Sequence, residues 1–152
     1  MKITLKDGSV KEYQSAMSVY DIAMDISEGL ARAACAGEID GQVVDLRTVV
    51  DNDCSLNILT FNDDAGKRAY RHTASHILAE AVKSLYPDAK LTIGPSIDEG
   101  FYYDFDCQSF DRAALDAIEA QMKKIIKEGR KFEKFELPRA EAIKFMEDRG
   151  EP

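Results

Sequence analysis

A chain of 152 residues makes one medium domain or two small ones, and 45% hydrophobic with 32% charged residues is the composition of a globular fold. Its net charge of −8 excludes a general DNA-coating protein. No apolar run nears the roughly 20 residues of a membrane helix, and the opening Met1-Lys2-Ile3-Thr4-Leu5-Lys6-Asp7-Gly8 lacks the apolar stretch of a secretory signal. Charge is uneven along the chain: +3 over 67–90, −6 over 98–119 and +4 over 120–139. A local basic face of this kind suits phosphate contact, and equally suits a mixed solvated surface. Cys35, Cys54 and Cys107 are far apart, with no C-x-x-C pair. They read as free thiols in a reducing compartment, all three serving as packing residues.

In chain order, Ile3 and Leu5 alternate, Asp7-Gly8 is a hairpin turn, and Val10 to Tyr13 returns as a second strand. Ser18-x-x-Asp21 resembles a capping box opening a short helix on Val19, Ile22, Ala23 and Ile26, with Gly29 as its stop. Apolar runs at 33–36, 43–46 and 56–61 read as strands divided by Asp40-Gly41 and Asp51-Asn52-Asp53. The order β-β-α-β-β in about 62 residues fits a small β-grasp module, whose core is small enough to be only marginally stable.

The polar stretch Asn62-Asp63-Asp64-Ala65-Gly66 marks the expected boundary between a first module, 1–62, and a second, 63–152. The second begins with a long helix, Arg68 to Leu85, ended by Pro87. Strands are expected at Lys90 to Ile93 and Phe101 to Phe105, around the turn-rich loop Gly94 to Gly100. Asp111 caps a helix with core positions Leu115, Ile118, Met122, Ile125 and Ile126, stopped by Gly129. A strand over 131–137 and a final helix with Pro138 in its first turn follow. The module reads α-β-β-α-β-α, an α+β fold class overall, and it stops without a strand to finish its sheet. That ending reads as a piece of a longer protein.

His72 and His76 are the only histidines. At 100° per residue they share one face of the long helix, roughly opposite a stripe of Ala74, Ile77, Leu78, Ala81, Val82 and Leu85. Three readings stand: two surface histidines, a metal-binding pair, or a pair orienting a water or substrate group. A catalytic zinc needs three protein ligands, and Cys107 has no partner histidine near it in sequence. H-E-x-x-H is missing because position 73 is Thr, and there is no G-x-x-x-x-G-K-[ST] loop.

Arg71-His72-Thr73-Ala74-Ser75-His76, Ile93-Gly94-Pro95 and Gly100-Phe101-Tyr102-Tyr103-Asp104-Phe105 resemble the editing domain of bacterial threonyl-tRNA synthetases. Ile3-Thr4-Leu5-x-Asp7-Gly8 through Ala36-Gly37 and Gly41 is similar to the TGS domain that precedes it. The resemblance covers essentially the whole chain, in order. It implies a ubiquitin-like β-grasp module followed by an incomplete mixed α/β editing domain. It also implies a chemistry. Threonine and serine differ by one methyl, worth only about 1–3 kcal/mol in a pocket, so a second site must hydrolyse serine esterified to tRNA(Thr). Carried over by resemblance, His72 and His76 are catalytic residues, and Tyr103 either lines the substrate pocket or is a packed sheet tyrosine. No metal is implied in this chain. The resemblance places ATP, Mg, a zinc site and the homodimer contacts in other regions of a cytoplasmic parent enzyme, with no DNA or membrane partner. The sequence departs from the family in lacking its later Cys-x-x-x-His element, which implies that this chain alone is inactive. The alternatives are a non-catalytic module binding tRNA or a regulator, and a free-standing hydrolase of seryl-tRNA.

Overall fold

The computed structural model describes residues 1–130, 133 and 135–150. The chain divides into two compact units. The first holds Met1–His72 with Ser96–Asp98, and the second holds Thr73–Pro95 with the described residues from Glu99 onward.

The first unit is built on a five-stranded sheet. β1 (Lys2–Leu5) pairs antiparallel with β2 (Val10–Glu12), Ile3 opposite Lys11. Gly8 at φ +82° makes the turn, and the Asp7 carboxylate accepts from the Ser9 amide and hydroxyl. β3 (Met17–Ser18) leads into α1 (Val19–Ile26). Ser18 caps α1 by accepting from the Asp21 amide at 3.1 Å, while its hydroxyl donates to the Asp21 carboxylate at 2.6 Å. The expected box is thus closed side chain to side chain.

Gly29 does not stop this helix. The extended Ser27 does, at φ −168° and ψ 146°, and it then caps α2 (Glu28–Ala33), which contains Gly29. A cap inside the chain outweighs one glycine, because it satisfies amides that would otherwise be orphaned. β4 (Ala34–Ile39) turns through Asp40 and Gly41, both at positive φ, into β5 (Gln42–Val44). β6 (Val49–Val50) pairs back on β3, and β7 (Cys54–Thr60) inserts parallel to β1 and antiparallel to β4. The sheet order β2-β1-β7-β4-β5 with α1 over one face is a β-grasp. Ile3, Val19, Ile22, Ala23, Ala31, Val50, Leu56 and Ile58 form its core. Ladder pairing shifts register between Ala34 and Ala36, which leaves Cys35 as a bulge.

α3 runs Asp64–Leu85, four residues earlier than expected. The Asp63 carboxylate accepts from the Thr60 amide and hydroxyl, and the Asp63 carbonyl accepts from Lys67, so the polar stretch folds as the helix start. Gly66, in the stretch expected to divide the modules, is a buried helical residue seated on Thr60.

In the second unit, β8 (Lys90–Leu91) pairs antiparallel with β11 (Phe105–Asp106), and bonds between Thr92 or Ile93 and Asp104 extend the contact. β9 (Ser96–Ile97) and β10 (Gly100–Phe101) intervene, so the single strand expected over 101–105 is two short ones. α4 (Arg112–Glu128) is capped by Asp111 and ends at Gly129 with φ +61°. α5 (Arg139–Glu147) has Pro138 at its N-cap rather than inside its first turn. The expected strand over 131–137 falls partly outside the described residues; Glu133 and 135–137 are described and form no strand.

Ala81, Val82, Ala89, Ile118 and Ile125 make this unit's core, with Tyr86, Phe105, Phe110 and Met122 around it. Leu115 and Ile126 are exposed instead of buried, because the packed arc of α4 is narrower than its apolar sequence pattern. Leu85 is likewise exposed, while Ser75 and Ala79 are buried. Of the thiols, all free, Cys35 and Cys54 are half-buried, but Cys107 is exposed and is no packing residue.

Candidate functional site

His72 and His76 lie one turn apart on α3 and both are exposed. The buried arc of the helix is turned toward Ser75 and Ala79, so the histidines border it rather than oppose it. The cause is a loop that docks on this flank. Ser75, fully buried, donates its hydroxyl to the Gly94 carbonyl at 2.8 Å. Gly94 in turn lies against the ring of Tyr103. A Cβ on Gly94 would come 2.1 Å from Tyr103 Cδ2, so only glycine leaves room there. Tyr103 stacks on Phe105 with centroids 4.7 Å apart and planes at 19°. One turn before Ser75, the guanidinium of Arg71 donates to the Ile97 carbonyl at 3.1 Å and to the Asp98 carbonyl.

Each of the three residues expected at the site therefore has a defined setting. The two imidazoles stand at the exposed margin of α3, each next in sequence to a residue that grips the 94–98 loop. Tyr103 is half-buried, with its ring committed to Gly94 and Phe105. Arg71 and Ser75 are the residues that sequence reasoning missed as loop anchors. The available signal was Ser75 itself, a serine beside the apolar stripe of a long helix with no cap to make.

Glu80, the next acidic group along the histidine line, is bonded to Arg130. Among the described residues no group of three His, Cys, Asp or Glu side chains is arranged to hold a metal ion. Cys107 instead opens onto a cavity of about 800 Å³ between the end of α3 and the start of α4, lined also by Tyr86 and Phe110. No helix among the described residues is long and apolar enough to cross a membrane.

Comparison with known proteins matches residues 1–60 to the TGS domain family, and the β-grasp sheet of the first unit is the fold of that domain. The similarity to individual proteins runs further, through the histidine helix to the end of the chain. Threonine–tRNA ligase of Acetivibrio thermocellus is 61% identical over 153 residues, covering 100% of this chain and 24% of the relative. The enzymes of Clostridium botulinum strain Eklund 17B and Clostridioides difficile strain 630 are 58% and 54% identical, over 97% and 99% of this chain and 23% and 24% of theirs. Along its entire length, then, the chain is similar to the N-terminal region of bacterial threonine–tRNA ligases. It spans about a quarter of the length of these relatives.

Proposed function

We propose that the chain is the N-terminal part of a threonine–tRNA ligase, contributing to hydrolytic proofreading of seryl-tRNA(Thr) and to tRNA contact. The observation that carries this reading is the exposed His72–His76 pair, flanked by the two side chains that anchor the Gly94–Asp98 loop. In the reaction, water adds to the ester carbonyl of the mischarged serine. The acyl C–O bond to the terminal ribose breaks, serine leaves as its carboxylate, and of the water's two protons one goes to the ribose oxygen and the other to solvent. His72 and His76 orient the water or the neighbouring ribose hydroxyl and relay that proton, a role suited to imidazole near neutral pH. Tyr103 bounds the serine pocket from the β10–β11 side.

In this reading 1–62 is the TGS domain and 63–152 is the first part of the editing domain. The parent attaches threonine to tRNA with ATP and Mg and carries its zinc site and homodimer contacts in regions outside these residues. It works in the cytoplasm, with neither DNA nor membrane as partner. The similarity to threonine–tRNA ligases over the full 152 residues supports the reading.

The test is deacylation of seryl-tRNA(Thr) by the full-length parent. His72→Ala and His76→Ala are expected to slow serine release by roughly 10²- to 10⁴-fold while threonine attachment continues. Serine release at the wild-type rate in both variants would sink the assignment. The 152-residue chain alone is expected to release no serine, and release by it would favour a free-standing hydrolase. Zinc bound stoichiometrically through His72 and His76 would turn the pair into a metal site instead.

A further inference from the structure

The first unit carries a groove that the histidine site does not use. It is a depression of about 500 Å³ where the β4–β7 end of the sheet meets the start of α3, lined by Arg32, Cys35, Thr60, Phe61, Asn62 and Tyr70. The bulge at Cys35 opens it, because two residues of β4 share one partner position on β7 and the ladder splays there. Two aromatic rings flank the opening. Phe61 is 46% exposed and Tyr70 is 56% exposed, and they meet edge to face with centroids 5.2 Å apart. With their planes at 81° the two rings make a corner, in which Tyr70 offers a face for stacking and Phe61 closes one side.

The polar groups around the rings have the chemistry of a nucleotide. Arg71 sits over the Phe61 ring at 6.0 Å. Arg32 lines the groove, and its pair with Glu28, at 3.6 Å, is exposed on both sides. Such a pair contributes little and exchanges readily for a phosphate. The nearby carboxylates are already matched, Asp63 to Lys6 and Asp64 to Lys67, each at 3.6 Å. Burial, and then the charge of Asp63, push the Cys35 thiol up, so the floor of the groove stays neutral. Asn62 adds an amide that both donates and accepts, as base edges require.

We propose that this groove holds one unpaired nucleotide of an RNA, its base stacked on the ring of Tyr70 with its edge against Phe61, and its phosphate on Arg32. The proposal rests on the reading of the chain as part of a tRNA-handling enzyme, and adds a contact made by side chains other than the histidines. An unpaired base fits because every base offers a face to an aromatic ring, whereas a base in a duplex has both faces covered.

The test titrates the 152-residue chain into a 5′-labelled single-stranded RNA hexanucleotide and, separately, a blunt RNA duplex of equal strand length, reading fluorescence anisotropy. The single strand is expected to bind more tightly. Phe61→Ala and Tyr70→Ala should each weaken it roughly tenfold, Arg32→Ala should flatten its salt dependence, and Phe61→Tyr and Tyr70→Phe should restore binding. Thermal melts followed by circular dichroism confirm that each variant is folded. Duplex binding equal to single-strand binding, no change in Phe61→Ala and Tyr70→Ala, or no single-strand binding at all would overturn the proposal. His72→Ala/His76→Ala is expected to bind the hexanucleotide as the wild type does. Loss of serine release therefore speaks to the histidine reading, and loss of hexanucleotide binding speaks to the groove.

Discussion

Replacing Gly66 by alanine sets two effects of opposite sign against each other. Inside a helix, alanine is favoured over glycine by about 1 kcal/mol, so propensity alone makes the variant more stable. Packing points the other way. A Cβ at Gly66 would lie 1.9 Å from the Thr60 carbonyl oxygen and 2.7 Å from its carbon. That carbonyl is backbone, it accepts from the Asp63 amide at 3.0 Å, and the Thr60 amide donates to the Asp63 carboxylate at 2.8 Å. Moving it loosens the turn that starts α3. A forced overpacking of this kind costs about 3 kcal/mol, the upper end of the usual range, because no flexible side chain is available to yield. The balance is a net loss of about 2 kcal/mol, or a fall in melting temperature of roughly 8–16 °C for a unit of this size. Urea titration followed by far-ultraviolet circular dichroism, with glycine and alanine variants side by side, measures it. A Gly66→Ala protein as stable as the wild type, or more stable, would refute the seating of α3 on β7.

Three further outcomes follow from other contacts. Ser75→Ala leaves the Gly94 carbonyl without its buried donor and is expected to cost about 1–3 kcal/mol, with faster amide exchange across 93–98; an unchanged urea midpoint would contradict it. Gly94→Ala drives a Cβ into the Tyr103 ring, which its stack on Phe105 holds in place, so a loss of about 3 kcal/mol with a changed near-ultraviolet tyrosine signal is expected. Burial and the adjacent Asp25 carboxylate raise Tyr13 to about 12. A raised folded value means its contribution to stability is fully present below about pH 10, the ordinary value, and is lost as pH climbs toward 12. Absorbance titration at high pH should show one late tyrosine that disappears in Tyr13→Phe.

Much of this protein is legible without coordinates wherever the controlling chemistry spans only a few residues. Asp7-Gly8 and Asp40-Gly41 make turns because glycine takes positive φ at no steric cost. Ser18, Asp111 and Gly129 cap helices through bonds to amides or carbonyls no more than four residues away. The placing of His72 and His76 together on an exposed line follows from the helical period alone.

What lies beyond local chemistry is which side of an element another element covers. The apolar pattern of α3 points at Leu85, yet the arc that packs contains Ser75 and Ala79, because the Gly94 loop docks there. Leu115 and Ile126 read as core and stand exposed, since the elements that pack on α4 reach only the arc of Ile118 and Ile125. Gly66 reads as part of a module boundary and is helix, because the bonds of Asp63 to Thr60 and Lys67 start α3 ahead of it. The groove at Phe61 and Tyr70 has no counterpart in any sequence window, since a bulge at Cys35 opens it from a strand 26 residues earlier than Phe61. Residue spacing along the chain determines conformation and facing. The partner that each face meets, and so the site each residue serves, is decided only by contacts between distant segments.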